Sequence, residues 1–519
     1  MIDRVFKLQT EYMKRMKRLS LIYQVCCLSL LAIVLACTPN VPDNAVPNGE
    51  DVDIYPDYTD VYVPYNIAPL NFHINYVGEA DFVSVVEDAS GVRLVAGGQD
   101  AQFDEDEWHS LLESNKGKTL TVTVYVGQAD SWKCFNAFGI HVAEEPIDEY
   151  ISYRLIEPSY VNYRSMQLCQ RNLTNFDESV IYANTEMSLR NEASEYQCVN
   201  CHSYQNYHTD NFQFHARQYK GGTVVVSNGK PVKVNLKTDS TIAAGVYPAW
   251  HPTAPVIAYS INHTVQAFVI DDPDHKIEVL DTLSDMVLYH VDTNEVQIVQ
   301  KTKDSMETTP GWSPKGDMLY YCSAYYPVDS ENIHFELGNH YDSIRYDIIR
   351  QAYDVKTRKL GEPDTVFKAS ELGKSASFPR ISPDGRYLLF GMADYGYFHI
   401  WHISSDLYVI DLNDMSRRRL ANMNSNDVEG YHSWSSNGRW IVFSTRRDDG
   451  NYSRAYIGYF DKNGKDYKAF AVPQRDPQYN KRLMKSFNVP EFMVEKVTIA
   501  PQELADVIRQ DAIPAQIYQ

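Results

Sequence analysis

Two cysteines and a histidine in the run Cys198-Val199-Asn200-Cys201-His202 have the types and spacing to hold a cofactor. The run reads Cys-x-x-Cys-His, the spacing that attaches a c-type haem. Each thiol can add to one haem vinyl group, and the imidazole beside the second thiol is placed to ligate the iron. Two other chemistries fit the same residues: a Cys198–Cys201 disulfide, or a metal site that adds His202 and His208. The adjacent histidine favours haem. For the second axial ligand the expectation is His215, in Phe214-His215-Ala216-Arg217, because it is near and stands beside a cation that can meet a propionate. His208, His251 and Met187 are the alternatives. A His-His pair would give a lower potential than His-Met, since axial ligands tune the iron.

The elements that position this motif begin with the N-terminus. Residues 19–36 are mostly apolar and follow Lys14, Arg15, Lys17 and Arg18. A basic stretch before a short apolar one is an export signal rather than a spanning helix. Met13 or Met16 is a better start for such a signal than Met1. The stretch ends in Val34-Leu35-Ala36-Cys37, which resembles a bacterial lipobox and implies cleavage before Cys37 with lipid on its thiol. Residues 1–36 are therefore expected to be a lipoprotein signal peptide, and the chain a cell-envelope lipoprotein tethered to the outer membrane. Haem favours the periplasmic face, where redox partners are. Six of the 48 basic and two of the 68 acidic residues fall in the leader, so the remainder carries a formal charge of about −24. That excludes a nucleic-acid partner, which rewards basic patches. An oxidising compartment pairs its thiols; with the haem cysteines set aside, Cys134–Cys169 is a possible bridge and Cys322 a lone buried thiol.

Beyond Cys37, residues 37–60 are polar and rich in Pro, Asn and Asp, which reads as a flexible tether. Residues 61–150 alternate in strand fashion around one short acidic-capped helix at 104–113, which predicts a small β-sandwich-like domain. Residues 151–220, which contain the Cys-x-x-Cys-His motif, read as loops and turns. A haem there would be clamped between the sandwich and the next domain. From 221 to 475 a pattern recurs. Trp250-His251-Pro252, Trp312-Ser313-Pro314-Lys315-Gly316, Ile381-Ser382-Pro383-Asp384-Gly385 and Trp434-Ser435-Ser436-Asn437-Gly438 each precede an apolar strand. Proline fixes φ, glycine takes the left-handed position, and a strand unit that cannot bury its own faces must pack on copies of itself. Radial packing gives a β-propeller. Residues 476–519 read as a tail packed on it, with a short amphipathic helix at 501–508. The fold class is all-β.

The Trp-Ser-Pro-x-Gly repeats resemble those of TolB-type, WD-repeat-like propeller proteins, which implies about six blades of 40–45 residues. The whole chain also resembles a group of exported Bacteroidetes-type lipoproteins that join a small β domain, a Cys-x-x-Cys-His (cytochrome c-like) segment and a TolB-like propeller. The matching stretches are Ile67-Ala68-Pro69-Leu70-Asn71-Phe72, Arg154-Leu155-Ile156-Glu157-Pro158, residues 198–202 and Tyr431-His432-Ser433-Trp434-Ser435. The resemblance speaks to fold and leaves activity open.

No hydrolase constellation is found: there is no Gly-x-Ser-x-Gly elbow. Ser382-Pro383-Asp384-Gly385 resembles a sialidase Asp-box, but its spacing is wrong and the turn accounts for it. Asp394, His399, His402, Asp406 and the run Arg446-Arg447-Asp448-Asp449-Gly450 could line a channel mouth, though each reads first as a loop or hairpin residue. The insert at 325–346, with Asp329, Glu331, Glu336 and Asp342, reads as a partner-facing loop. Two functions stand: an envelope haem protein that transfers electrons or senses redox state, and a non-enzymatic scaffold whose propeller binds an envelope protein or glycan.

Overall fold

The computed structural model describes residues 39–128, 131–157, 165–188, 197–269, 272, 275–300, 302–327 and 332–518. Cys37 and the leader read at 1–36 lie outside them, as do Asp329 and Glu331. No helix among the described residues is long and apolar enough to cross a membrane.

The architecture is all-β, and six of its sheets form a ring. Their innermost strands are Ser486–Met493, Gln197–Gln205, Gly245–Trp250, Ser305–Trp312, Ser375–Ile381 and Glu429–Trp434, here blades 1 to 6. Each of these strands touches the next in that order, and blade 6 returns to blade 1, so the circle closes. The second strand of a blade is covered on both faces by its neighbours, which is why it reads as an unbroken apolar run. In blade 5 every residue of Tyr387–Ala393 is buried, and in blade 6 every residue of Trp440–Thr445.

The repeated Ser-x-x-Gly turns join first to second strands. Ser382 Oγ accepts from the Tyr387 amide at 2.9 Å and Ser435 Oγ from the Trp440 amide at 2.9 Å, while Gly385 and Gly438 amides reach back to the Ser382 and Ser435 carbonyls. The glycines sit at φ +77° and +67°. Where a tryptophan precedes the serine, it ties one blade to the last: Trp312 Nε1 donates to the Ala249 carbonyl at 3.0 Å and Trp434 Nε1 to the Arg380 carbonyl at 3.1 Å.

Three readings of the chain's layout need correction. Residues 151–220, expected to be irregular, are mostly strand. Tyr150–Ile156, Gln167–Asn172 and Glu178–Ala183 complete blade 1, and Gln197–Gln205 with His208–Gln218 begin blade 2. Their polar residues looked like loop because their partners are far away in sequence. Gln170 bonds both the amide and the carbonyl of Val497, and Arg171 donates to the Pro473 carbonyl at 2.7 Å. Residues 37–60, expected to be a tether, include strands Val46–Asp51 and Ile54–Tyr55 of the N-terminal module. The tail at 476–519 does more than pack on the ring. Ser486–Met493 pairs with Tyr150–Ile156 as the inner strand of blade 1, and Ile513–Pro514 and Gln516–Ile517 add edge strands to blades 2 and 3.

The N-terminal module has a seven-stranded sheet and a three-stranded one, with the helix Glu105–Ser114 capped by the Asp104 carboxylate. Its core is continuous with blade 6, where Trp440, Val442, Ile457 and Phe470 join it. Polar ties reinforce this seam: Asp148 accepts from the Ser436 amide at 2.7 Å, and Trp440 Nε1 donates to the Pro146 carbonyl at 2.9 Å.

Candidate functional site

A feature of the backbone organises the centre of the ring. Every innermost strand carries one residue in the left-handed region at a step in register: Cys201 (φ +53°), Tyr247 (+47°), Thr309 (+53°), Phe378 (+51°), Tyr431 (+49°) and Val489 (+52°). In blade 2, Asn200 pairs with His215 and Ser203 with Gln213, so three steps on one strand face two on the other. Such a bulge adds a residue, bends the strand and re-aims its side chains. After the left-handed residue comes proline in four blades (Pro248, Pro310, Pro379, Pro490) and histidine in two (His202, His432). Cys201-His202 is thus blade 2's copy of a position shared by all six.

These bulges surround a cavity of about 630 Å³ on the ring's axis, within the usual range for small-molecule and cofactor sites. Cys198, Cys201 and His202 all line it. In a regular strand residues three apart face opposite ways; the bulge at Cys201 lets both thiols and the imidazole reach one space. Tyr247, Trp250, Trp312, Phe378, Tyr431 and Trp434 supply aromatic walls. His202 is 3% exposed, and neither ring nitrogen meets strict hydrogen-bond geometry, the backbone of Val489 offering it only a weak contact that acts against the lowering of its pKa. Burial, then the nearby Arg154 charge, push it down to about 3, so it stays neutral and able to ligate. Burial raises the Cys198 thiol, whose sulfur lies 3.8 Å from Met166 Sδ.

Charge in the cavity is one-sided. Arg154, Arg217 and Arg380 line it, and among the described residues Glu491 is the one carboxylate that does. Burial pushes Glu491 up to about 8 despite the Tyr204 amide at 3.4 Å and the Arg380 charge, so it keeps its proton at neutral pH. The cavity therefore favours an anionic group.

The structure does not bring His215 to this space. It lies one strand out, paired with Asn200; its Nδ1 meets Thr223 Oγ1 at 2.8 Å and its ring packs on Tyr259. His251 is fully buried, its Nδ1 accepting from the Thr253 and Ala254 amides and its Nε2 facing the Gly316 carbonyl at 3.1 Å. Met187 lies in the core shared by blades 1 and 2, and His208 is exposed beside Glu495. Among the described residues the other histidine on the cavity is His432, whose Nε2 donates to the Phe378 carbonyl at 2.7 Å. Aligning Tyr431-His432-Ser433-Trp434 with Cys201-His202-Ser203-Tyr204 would have found it. Cys134, Cys169, Cys198, Cys201 and Cys322 are all free thiols, and the expected Cys134–Cys169 bridge is not formed: the two sit in different sheets.

Most of the residues read as a channel mouth hold structure instead. Asp394 pairs with Lys374, Asp406 with Arg419 and Arg447 with Glu429, while His399 bonds Ser377 Oγ and the Gly396 carbonyl.

No family model matches the chain, and no curated protein does. Among solved structures it is similar to TolB from Acinetobacter baumannii, at 12% identity and TM-score 0.40 over 75% of this chain and 85% of that one. It is similar to the periplasmic gluconolactonase PpgL of Pseudomonas aeruginosa, at 10% identity and TM-score 0.33, over 63% and 97%. A DUF4784 family protein from Bacteroides caccae gives 10% identity and TM-score 0.28 over 73% and 96%. The propeller architecture rests on the strand pairing itself.

Proposed function

We propose that this is a cell-envelope electron-transfer protein whose propeller cavity carries one covalent c-type haem, with the outer surface of the ring docking an envelope partner. The observation that carries this reading is the bulge at Cys201, which puts two thiols and a buried, neutral imidazole on one aromatic-walled cavity. Cys198 and Cys201 would hold the thioether links and His202 the iron. Arg154, Arg217 and Arg380 offer cations for the propionates. Bound there, haem would supply reversible one-electron chemistry. The chain's part is to keep His202 neutral, to exclude water with Tyr247, Trp312 and Tyr431, and to compensate anionic charge. Lipid on Cys37 would tether the protein to the outer membrane on its periplasmic side.

One observation favours a second reading. The bulge at Cys201 recurs in every blade, so His202 also has an architectural counterpart in His432. On that reading the propeller is a scaffold and the cavity binds an anionic small molecule or glycan. A reduced-minus-oxidised spectrum separates the two, taken on protein exported in a host with cytochrome c maturation. A sharp α-band that resists acid–acetone extraction and is lost in Cys201→Ala and His202→Ala establishes haem. A colourless protein from the same host leaves the scaffold.

A further inference from the structure

Far along the chain from the Cys-x-x-Cys-His motif, three other metal-type ligands converge. Blade 3 is unusual in its second and third strands, Val256–Phe268 and Ile277–His290, which are 13 and 14 residues long where blade 5 has 7 and 6. Their outer halves form an arm that leaves blade 3 and crosses the end of the ring. Thr264, Gln266 and Val279 of the arm line the central cavity, Ile277 enters the core of blade 5 with Tyr397, Phe398 and Trp401, and Tyr397 donates to Asp281 at 2.9 Å. At the outer end of this arm His275 and Glu278 meet His402, from the loop between the second and third strands of blade 5.

The geometry points to a first-row divalent cation site, with Zn²⁺ as the natural probe, formed by His275, Glu278 and His402. His402 Nε2 lies 2.9 Å and His275 Nε2 3.0 Å from the same Glu278 oxygen. All three ligand atoms lie within 4.8 Å of one another. Ligands about 2.0–2.2 Å from a tetrahedral zinc stand roughly 3.3–3.5 Å apart, so a small outward shift of each side chain opens the site. Two imidazoles and one carboxylate are a donor set that zinc and its neighbours prefer over calcium or magnesium, and they leave a fourth position for water.

The arrangement differs from a simple ion pair in that two imidazole nitrogens, His402 Nε2 and His275 Nε2, converge on one buried carboxylate from separate blades. Glu278 and His402 are each 3% exposed at the side chain, while His275 is 16% exposed and gives an ion a way in. An ion held here ties the arm of blade 3 to blade 5. It thereby fixes Thr264, Gln266 and Val279 over the cavity. The site depends on none of the proposed haem ligands.

The test is calorimetric titration of Zn²⁺ into the chelator-stripped full chain, alongside Glu278→Gln, His275→Ala and the double variant Cys198→Ser/Cys201→Ser. One equivalent is expected to bind in the wild type and in the cysteine variant. In Glu278→Gln and His275→Ala the affinity should fall by more than the roughly 10–100-fold that loss of an outer-shell partner costs. A Co²⁺ spectrum of the wild type, which needs no variant to fold, should show the intense visible bands of a four-coordinate nitrogen–oxygen site. The proposal is overturned if the wild type binds no Zn²⁺ at micromolar concentration and gives no such bands. It is equally overturned if binding survives Glu278→Gln and is lost with the two cysteines, which would move the metal to Cys-x-x-Cys-His.

Discussion

His202 occupies a position that four blades give to proline, and it is buried where an imidazole gains nothing from burial alone. A buried polar group that is poorly satisfied costs about 1–3 kcal/mol, a cost that ligation by the proposed haem would relieve. Glu491, on the neighbouring bulge, carries the same kind of cost and makes it measurable. Burial raises its carboxyl from 4.5 to about 8. The folded chain holds a proton there that the unfolded chain releases above pH 4.5. This contribution to stability is therefore complete below pH 4.5 and is lost as the pH rises to about 8. Glu491→Gln should flatten that part of the profile, so that between pH 5 and pH 8 the variant gains on the wild type by about 1–3 kcal/mol in urea unfolding. The buried histidines act oppositely. Burial holds His202, His215, His399 and His432 at about 3, so their contribution is present above pH 6.5 and fades as the pH falls. An unchanged slope in Glu491→Gln would refute the assignment of a protonated carboxyl to this cavity.

At the scale of the element, the blade turn was readable because everything it needs lies within six residues: a serine to cap, a proline to set φ, a glycine to go left-handed. The inner bulge was not. Its left-handed position is filled by Cys, Tyr, Thr, Phe, Tyr and Val, so no residue type announces it, and only the pairing of register with the second strand reveals it. The turns also show how blades contact each other. A Cβ at Gly316 would stand 2.0 Å from the fully buried His251 ring, whereas one at Gly385 would find nothing nearer than 4.0 Å. Both glycines have positive φ, which alone costs an alanine about 1–2 kcal/mol. Gly316→Ala should lose roughly 1–3 kcal/mol more than Gly385→Ala in thermal unfolding, because only the former must displace a packed ring. Equal losses would show that the turn of blade 4 does not bear on blade 3.

For the whole molecule, the ring is closed by a strand from one end of the propeller pairing with strands from the other. Tyr150–Ile156 has Ser486–Met493 on one side and Gln167–Asn172 on the other. Deleting everything after Leu483 removes the inner strand of blade 1, with Glu491 and the helix Pro501–Arg509. The truncated chain should lose its single cooperative transition and bind dyes that report exposed apolar surface. Ending the chain after Asp511 removes only the two short edge strands, Ile513–Pro514 and Gln516–Ile517, and should cost no more than about 2 kcal/mol. The shared core of the N-terminal module and blade 6 implies that the two unfold together; separate calorimetric peaks would contradict it.

The all-β class, the repeated turn with its apolar second strand and the rough number of blades were legible in the sequence, because each is written in neighbours close along the chain. Sequence alone misjudged 151–220 and the last residues, since their polar strands are satisfied only by partners hundreds of positions away. It also placed the second ligand by nearness in sequence. Tertiary structure decided that His215 lies a strand away from the cavity, that His432 and Glu491 face it, and that His275 and Glu278 meet His402. The physical reason is the same in each case: a bulge, a ring closure or a crossing arm sets which side chains share a space, and no local pattern encodes it.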